Sequence, residues 1–245
     1  MSYWQESLFH HPETAASKPL VACSACLLGE PVRYDGGHKE QAGIGRWLAS
    51  WLQLQAICPE VGIGLPVPRP TLKVVDEGDT QRVIQTDDPA VDVTDALLDY
   101  ADSYLRNLGR FWPLSAWILK ARSPSCGRGS TPINPDSTEE RLGDGIFASR
   151  VRLWAPWLSL YEEEQLENQA ACEDLLLEAF ICRDILWQVP EPDLQSLAQH
   201  YAQVLQTPLQ VGQGNRFTLW QSVMLALREM EENKRQRLRE TYRAA

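Results

Sequence analysis

The sequence predicts an α/β fold: an open, mostly parallel, Rossmann-like sheet with helices on both faces, followed by an all-helical C-terminal extension. Three short apolar runs, at 20–24, 55–58 and 115–121, are each followed by Gly- or Pro-rich sequence. Helical patterns separate the runs, which is the alternation that a parallel sheet requires. Beyond Pro156 the strand-like runs stop and helical patterns alone continue. These observations predict three buried strands and then helices.

The first elements follow in order after the strand at 20–24. Prolines and glycines break either regular period, so we expect loops at 29–37 and 62–70. Three-and-four spacing predicts a helix over 44–54, with apolar residues at positions 44, 47, 48, 51, 52 and 54. The second strand follows directly. Two further runs, 73–75 and 82–86, flank a polar tetrapeptide with a glycine and predict a hairpin.

The middle of the chain contains one more helix and the third strand. Capping residues precede a helix over 95–108, which Gly109 is expected to end. After the strand at 115–121, residues 127–140 predict a second long loop. Gly145 then precedes another helix.

Residues 155–245 form the predicted extension, after a polar lead-in at 1–18 and an α/β domain at 19–154. Its helices are expected at 162–167, 175–187, 194–205 and 219–242. We expect them to pack on the α/β domain through their large apolar side chains, which are Leu176, Phe180, Trp187, Leu197 and Trp220. They would border the cleft or an oligomer contact.

Composition limits the classes of function. The formal charge of −10 disfavours a broad nucleic-acid surface, and no apolar run approaches a membrane span. The first residues lack the basic and apolar regions of a secretory signal, so we expect a cytoplasmic protein whose six cysteines are mostly reduced.

Three cysteines lie at the ends of the three predicted strands. Cys26, Cys58 and Cys126 each follow an apolar run and precede Gly- or Pro-rich sequence. The carboxyl ends of parallel strands meet at one crevice, so we expect these thiols to share a metal or cluster site. Cys23 forms a CxxC pair with Cys26, which could also indicate zinc or thiol redox chemistry, but a buried strand residue is the favoured interpretation.

The remaining two cysteines differ in context. Cys172 and Cys182 lie in helical sequence without nearby Gly or Pro, and we interpret them as packing residues.

Three thiolate ligands without a fourth leave one coordination position open, as catalytic metal sites do. An iron with an open position acts as a Lewis acid toward a soft sulfur donor. Glu60, two residues after Cys58, is the candidate acid or base, and its alternative is a surface carboxylate or a cap. Ser123 and Ser125 are candidates to bind the cluster sulfur or the substrate, with turn formation as their alternative.

The loop after the first strand is dense in functional side chains. Arg33, Tyr34 and Asp35 precede a glycine pair, and a merely solvated loop does not explain the tyrosine. We therefore interpret them as substrate-binding residues. Arg69, between two prolines, and Lys120, at the end of the third strand, are similar candidates.

Five motifs within residues 19–154 resemble, in order, those of the DUF523 family, which includes the thiouracil desulfidases (TudS): residues 23–29, 32–39, 58–60, 64–70 and 119–127. The resemblance implies a [4Fe–4S] cluster held by Cys26, Cys58 and Cys126 with one iron free. It also implies a non-redox reaction in which a thiolated pyrimidine binds that iron through sulfur and water replaces the sulfur, giving uracil or uridine and hydrosulfide. Glu60 and one of the two serines are the implied proton-transfer groups.

Two features depart from relatives. Cys23 stands where they often carry an apolar residue, which leaves an additional ligand or redox role open. The extension does not resemble the DUF1722 domain that follows this module in some relatives acting on tRNA.

A free base, nucleoside or nucleotide is thus the favoured substrate. The alternatives are 4-thiouridine within tRNA and a non-catalytic Fe–S sensor or binding module. Residues 228–243 carry a net charge of only +2, and residues 162–178 hold seven carboxylates and no Lys or Arg. Phosphate contacts dominate nucleic-acid affinity, so this charge pattern disfavours tRNA. The oligomeric state is open.

Overall fold

The structure, a computed structural model, describes residues 18–78, 80–111, 114–138, 141–188, 194–206, 209 and 216–243. The lead-in predicted at 1–18 lies outside the described residues, except for Lys18. In the part of the chain that the structure describes, no helix is both long and apolar enough to cross a membrane.

Among the residues that the structure describes, eight strands form two sheets. In chain order they are β1 (Leu20–Ser24), β2 (Gln53–Ile57), β3 (Leu72–Glu77), β4 (Thr80–Gln85), β5 (Leu114–Leu119), β6 (Thr131–Ile133), β7 (Arg141–Gly143) and β8 (Ser159–Glu162). The first sheet has the order β2-β1-β5-β8 and all its neighbours are parallel. Every residue of β1 and β5 is buried, as expected for central strands covered on both faces. The predicted open parallel sheet is confirmed.

Helices cover both faces of this sheet. They are α1 (Ala49–Trp51), α2 (Pro59–Gly62), α3 (Thr94–Phe111), α4 (Ile146–Trp154), α5 (Gln169–Arg183), α6 (Leu194–Leu205), α7 (Arg216–Glu229) and α8 (Glu232–Arg243). A π-helical segment, Gly43–Leu48, leads into α1, and another, Asp184–Gln188, extends α5. Two 3-10 turns follow strand ends, at Ala25–Leu28 and Glu163–Leu166.

Alternate side chains of the central strands belong to two cores. Val21 and Ile118 pack in a core with residues of α5 to α8 and of the segment before β2. Ala22 and Trp117 pack in the opposite core with residues of α3 and α4, where the Trp117 ring meets Phe147 edge-on at 5.3 Å between centroids. Strand periodicity of two residues accounts for this division.

The C-terminal helices pack against the sheet through buried apolar side chains. Leu176, Phe180, Leu197 and Trp220 are all buried in the first core, so the predicted packing on the α/β domain is confirmed for them. The Trp187 side chain lies outside the described part of the structure. One strand, β8, precedes these helices and pairs with β5, so the boundary predicted at 154 would divide the sheet.

The second sheet contains the predicted hairpin and two strands that the sequence pattern did not indicate. β3 and β4 are antiparallel, and the full order is β4-β3-β6-β7. The loop predicted over 127–140 is therefore wrong in part, because Ile133 of β6 pairs with Val74 of β3 and is fully buried. A strand of three residues is too short to produce a recognisable alternation.

Several predicted helix boundaries are wrong, and α5, which was expected from 175, already begins at Gln169. Gln53 already begins β2, and its amide donates a hydrogen bond to the Pro19 carbonyl at 2.9 Å. α3 continues through Gly109 to Phe111, and the single helix expected over 219–242 is two helices that separate after Glu229. Apolar spacing cannot locate the first of these ends, because Leu52 and Leu54 fit the helical stripe while tertiary pairing selects the strand.

The acidic stretch 162–178 is not a solvent-facing surface. Four of its seven carboxylates are buried, namely Glu162, Glu163, Glu173 and Glu178. Buried carboxylates need partners inside the protein, so these four do not contribute to an acidic surface. The composition of this stretch is therefore a weaker argument against nucleic-acid binding than it is from the sequence alone.

Candidate active site

A cavity of about 350 Å³ opens where β1, β2 and β5 end. This is the carboxyl edge of the parallel sheet, where open α/β folds form their binding crevice. Its lining includes nine of the predicted site residues: Cys26, Cys58, Cys126, Glu60, Ser123, Arg33, Tyr34, Arg69 and Lys120. Ser125 and Asp35 are the two predicted site residues outside the lining.

Each cysteine of the cavity is held by a local turn. Cys26 lies in the 3-10 turn after β1, which Gly29 ends with a φ of 91°, a conformation that favours glycine. Cys58 precedes α2, and its carbonyl accepts a hydrogen bond from the Gly62 amide at 2.8 Å. Cys126 lies in a turn closed by the Gly127 amide, which donates to the Ser123 carbonyl at 3.0 Å.

The three thiols are free and influence one another electrostatically. Burial raises the pKa of Cys26 to about 11, and the neighbouring Cys58 contributes to this rise, whereas Lys120 and Arg33 oppose it. Burial likewise raises the pKa of Cys58, and it raises the pKa of Cys126 well above its usual value. Thiols of this kind become thiolates readily only when a cation binds them.

The donor set fits an iron–sulfur cluster, because three free cysteines line one cavity. Across the described residues, no three His, Cys, Asp or Glu side chains are arranged to hold one metal ion. In a cluster each cysteine binds its own iron, so the ligands surround a cavity instead of meeting at one point. Three free cysteines around one cavity have this arrangement.

The other cysteines lie elsewhere. Cys23 is fully buried within β1, outside the cavity lining, and its thiol donates a weak hydrogen bond to the Ser24 carbonyl at 3.7 Å. Cys172 and Cys182 are buried on α5. These positions match the predicted strand-core and helix-packing interpretations.

Glu60 is fixed from both sides. Its Oε2 accepts hydrogen bonds from Nε and Nη2 of Arg69, both at 2.8 Å, and its Oε1 accepts one from Ser125 Oγ at 3.0 Å. The Arg69 side chain is 4% exposed and also donates to the Val32 carbonyl. Two donors on one oxygen and one on the other keep the carboxylate oriented at the cavity wall.

The two serines have different surroundings. Ser123 Oγ accepts the amides of Ser125 and Cys126, at 3.3 and 3.1 Å, so its hydroxyl proton can be donated into the cavity that it lines. Ser125 is fully buried and donates to Glu60. Ser123 therefore has access to a ligand, and Ser125 acts on the carboxylate.

Among the predicted substrate-binding residues, Arg33, Tyr34, Arg69 and Lys120 line the cavity. The Arg33 guanidinium lies 5.2 Å from the Tyr34 ring centroid. Asp35 is exposed, contacts Arg33 at 3.5 Å and accepts the Gly37 amide, which is the geometry of a local turn. Arg69 contacts Glu60, so its main observed role is to orient that carboxylate.

Sequence reasoning missed the polar groups that join the strand ends. Ser24 Oγ accepts the Lys120 amide at 2.9 Å and thereby links β1 to β5. Glu163 accepts hydrogen bonds from the Lys120 ammonium group and the Ala121 amide. The strand that leads to Glu163 was the available signal in the sequence, but this strand, Ser159–Glu162, has only four residues.

The N-terminus of α4 supports the cysteine turn. The Ile146 and Ala148 amides donate to the carbonyls of Pro124 and Ser125, both at 3.1 Å. A Cβ added at Gly145 would lie 2.6 Å from the backbone of Ser125, too close for any side chain. Glycine is therefore required for the turn and the helix to approach each other.

We expect Gly145→Ala to destabilise the protein by about 1–3 kcal/mol, the usual cost of overpacking, and to lower iron incorporation. Gly43→Ala is the matched control, because a Cβ there meets no atom within 4 Å. Thermal unfolding and iron content measure the two effects. Equal iron content and stability in the two variants would show that position 145 does not require glycine.

A crevice at the carboxyl edge of a parallel sheet, with reactive side chains just after the strand ends, is the arrangement of α/β enzymes that bind a cofactor there. Fold and site assign the chain to this class. The family model described as 2-thiouracil desulfurase matches residues 21–164, more than half of the sequence. The chain belongs to this family, which confirms the resemblance to DUF523.

Two similar proteins extend this comparison. The solved structure titled "[4Fe-4S]-dependent thiouracil desulfidase TudS (DUF523Vcz)" is 32% identical, with a TM-score of 0.50, and the match covers 64% of this chain and 99% of that one. The "Uncharacterized protein YbbK" of Bacillus subtilis (strain 168) is 28% identical over an alignment of 141 residues, and the match covers 54% of this chain and 89% of YbbK. The family match includes β8 and extends past the predicted boundary at 154.

Proposed function

We propose that this protein is a desulfidase that removes sulfur from thiolated pyrimidines of the thiouracil and 4-thiouridine class. The observation that carries the proposal is that three free cysteines and the oriented Glu60 line one cavity. Membership of the 2-thiouracil desulfurase family and the likeness to a [4Fe-4S]-dependent thiouracil desulfidase support it.

In this proposal Cys26, Cys58 and Cys126 hold a [4Fe–4S] cluster and leave one iron without a protein ligand. When bound, the cluster supplies a Lewis-acid iron for the thiocarbonyl sulfur. Burial raises the pKa of each of the three thiols, so holding them as thiolates requires the positive charge of a bound metal group.

The net reaction is hydrolysis without electron transfer. Water supplies the carbonyl oxygen of the pyrimidine product, and its two protons balance the sulfide that leaves as hydrogen sulfide. Glu60 takes a proton from the attacking water at Oε1 and returns it later in the reaction. Arg69 and Ser125 hold the carboxylate in place, so its orientation exists before the substrate binds.

The other cavity residues bind and orient the substrate. The Ser123 hydroxyl donates a hydrogen bond to the pyrimidine ring or to its sulfur. Tyr34 is 42% exposed and has Arg33 beside it, so its ring offers a face on which a pyrimidine can stack. Lys120 lines the cavity at the end of β5, and its ammonium group, which contacts Glu163 and the Ala121 carbonyl, has a third N–H to donate to the substrate.

Anaerobic turnover of reconstituted protein tests the proposal. We expect loss of thione absorbance and release of sulfide with 2-thiouracil or 4-thiouracil, and a comparison of base, nucleoside and nucleotide gives the preferred form. Protein that contains a full cluster but turns over none of these would instead be a sensor or binding module.

For the tRNA alternative we expect weak binding to thiolated tRNA with a shallow salt dependence. Arg239 donates two hydrogen bonds to Asp174, at 2.9 and 2.8 Å, and Arg235 contacts the same carboxylate at 3.2 Å, so internal pairs use part of the basic charge of α8. Phosphate binding needs cations that are available to the ligand.

The measurement is a salt series with the wild-type chain and a Lys234→Glu/Arg237→Glu variant, which changes two exposed cations of α8. Truncation near residue 156 would not serve, because it removes β8 and exposes the first core. Tight binding with a steep salt slope, lost in the variant, would establish an RNA-binding role for α8.

A further inference from the structure

Two adjacent carboxylates at the end of β8 reach the loop that carries Cys126. Glu163 has a side chain that is 5% exposed; its Oε2 accepts the Ala121 amide at 2.6 Å, and its Oε1 accepts the Lys120 ammonium group. These contacts hold the loop at the point where the chain leaves β5, between the strand and the cysteine turn.

Glu162 holds the same loop after the cysteine. Its Oε1 accepts the Arg128 amide at 2.5 Å and the Ser130 hydroxyl, and the Ser130 hydroxyl in turn accepts the Arg122 amide at 2.7 Å. Glu162 is itself fixed by a reciprocal cap, in which the Gln165 side chain accepts the Glu162 amide at 2.8 Å. Cys126 thus lies between two anchored segments.

The neighbouring Glu164 shows that these contacts are not a general property of an acidic stretch. Its side chain is 46% exposed and pairs with Arg122, which is 68% exposed, an ion pair of the surface type. Glu162 and Glu163 are instead buried, and each accepts a hydrogen bond from a backbone amide of the loop that carries Cys126. Buried carboxylates that bind backbone amides fix geometry more strongly than exposed ion pairs do.

We propose that Glu162 and Glu163 are positioning residues for the cluster site: they hold the loop that presents Cys126, and Glu163 also directs Lys120 toward the cavity. The proposal deepens the proposed function and rests on it only in assuming that Cys126 binds the cluster. The edge strand β8 is then a part of the site, because it delivers both carboxylates to the carboxyl edge of the sheet.

The test compares Glu162→Gln, Glu163→Gln and the matched control Glu164→Gln after anaerobic reconstitution. Loss of cluster absorbance is followed during a chelator challenge, and we expect it to be about 10- to 100-fold faster in the first two variants, the scale typical of lost groups that orient metal ligands. The control should match the wild type. Thermal unfolding of each apo protein separates failure to fold from failure to retain iron.

A second readout reports on charge. Glu163→Gln removes a negative charge beside Lys120 and should raise the reduction potential of the cluster, since net charge contributes to that potential. Glu163→Asp keeps the charge and should restore the potential more than it restores retention, because the shorter side chain reaches the Ala121 amide poorly.

Glu162→Gln and Glu163→Gln proteins that fold and lose the cluster no faster than Glu164→Gln would overturn the proposal. Retention and potential are measured without a substrate, so they are informative even if no thiolated pyrimidine is turned over. A protein that binds no cluster in its wild-type form would instead contradict the proposed function itself.

Discussion

Replacement of Cys26, Cys58 or Cys126 by Ala is expected to abolish the brown iron–sulfur absorbance of anaerobically reconstituted protein. Each thiol lines the cavity at a different strand or loop, so none can replace another without a change of the backbone. A cluster with three protein ligands that loses one retains too few bonds for stable binding. Absorbance and iron content measure the effect, which we expect to be close to complete.

The chain contains its own controls for this experiment. Replacement of Cys172 or Cys182 by Ala removes a buried thiol on α5, and Cys23→Ala removes one from β1 outside the cavity lining. These three variants should keep the cluster and lose only some stability, as small core truncations do. Normal iron content in all three cavity variants would refute the ligand assignment, and loss of iron in Cys23→Ala would make that residue a fourth ligand.

Glu60→Gln is expected to retain the cluster and lose turnover by about 10²-fold or more, the usual contribution of a general acid–base group. The amide keeps the size of the side chain and can still accept from Arg69 or Ser125, but it cannot take and return a proton. Because Arg69 places two donors on one carboxylate oxygen, the orientation of the side chain should change little. The rate constant kcat of the reconstituted protein is the relevant measurement.

Glu77→Gln is the corresponding control, because this carboxylate is exposed on the second sheet and contacts Arg82 only at 3.8 Å. It should have wild-type turnover. A Glu60→Gln enzyme with full activity and a full cluster would show that Glu60 only shapes the loop and that another group transfers the proton.

Much of the site could be predicted from the positions at which the parallel strands end. The sequence predicts that Cys26, Cys58 and Cys126 come together because parallel strands end at one edge of a sheet, and the cavity at that edge contains all three. Asp35 was predicted in the same loop as Arg33 but lies on the surface, where it closes a turn. Motif membership locates a loop at the site without deciding which of its side chains face inward.

The different positions of the two serines illustrate the same limit. Ser123 and Ser125 are two residues apart in one turn, and both are plausible from their neighbours. Only the packing of α4 against the turn and the position of Glu60 on α2 leave Ser123 at the cavity and direct Ser125 to Glu60. A proline between them and the Gly145 contact fix this turn, but the direction of each hydroxyl depends on residues distant in sequence.

The sequence by itself determined the α/β class, the alternation of strands with helices, and the position of three cysteines just after the strands. Strand burial and the residues that follow a strand can be read from short stretches of sequence. Only the tertiary structure decided that β8 completes the sheet, that β6 and β7 join the hairpin, and that Glu162 and Glu163 hold the cysteine loop. The pairing of β8 with β5, the pairing of β6 with β3 and the hydrogen bonds of the two carboxylates depend on partners 30 or more residues away, which no local pattern records.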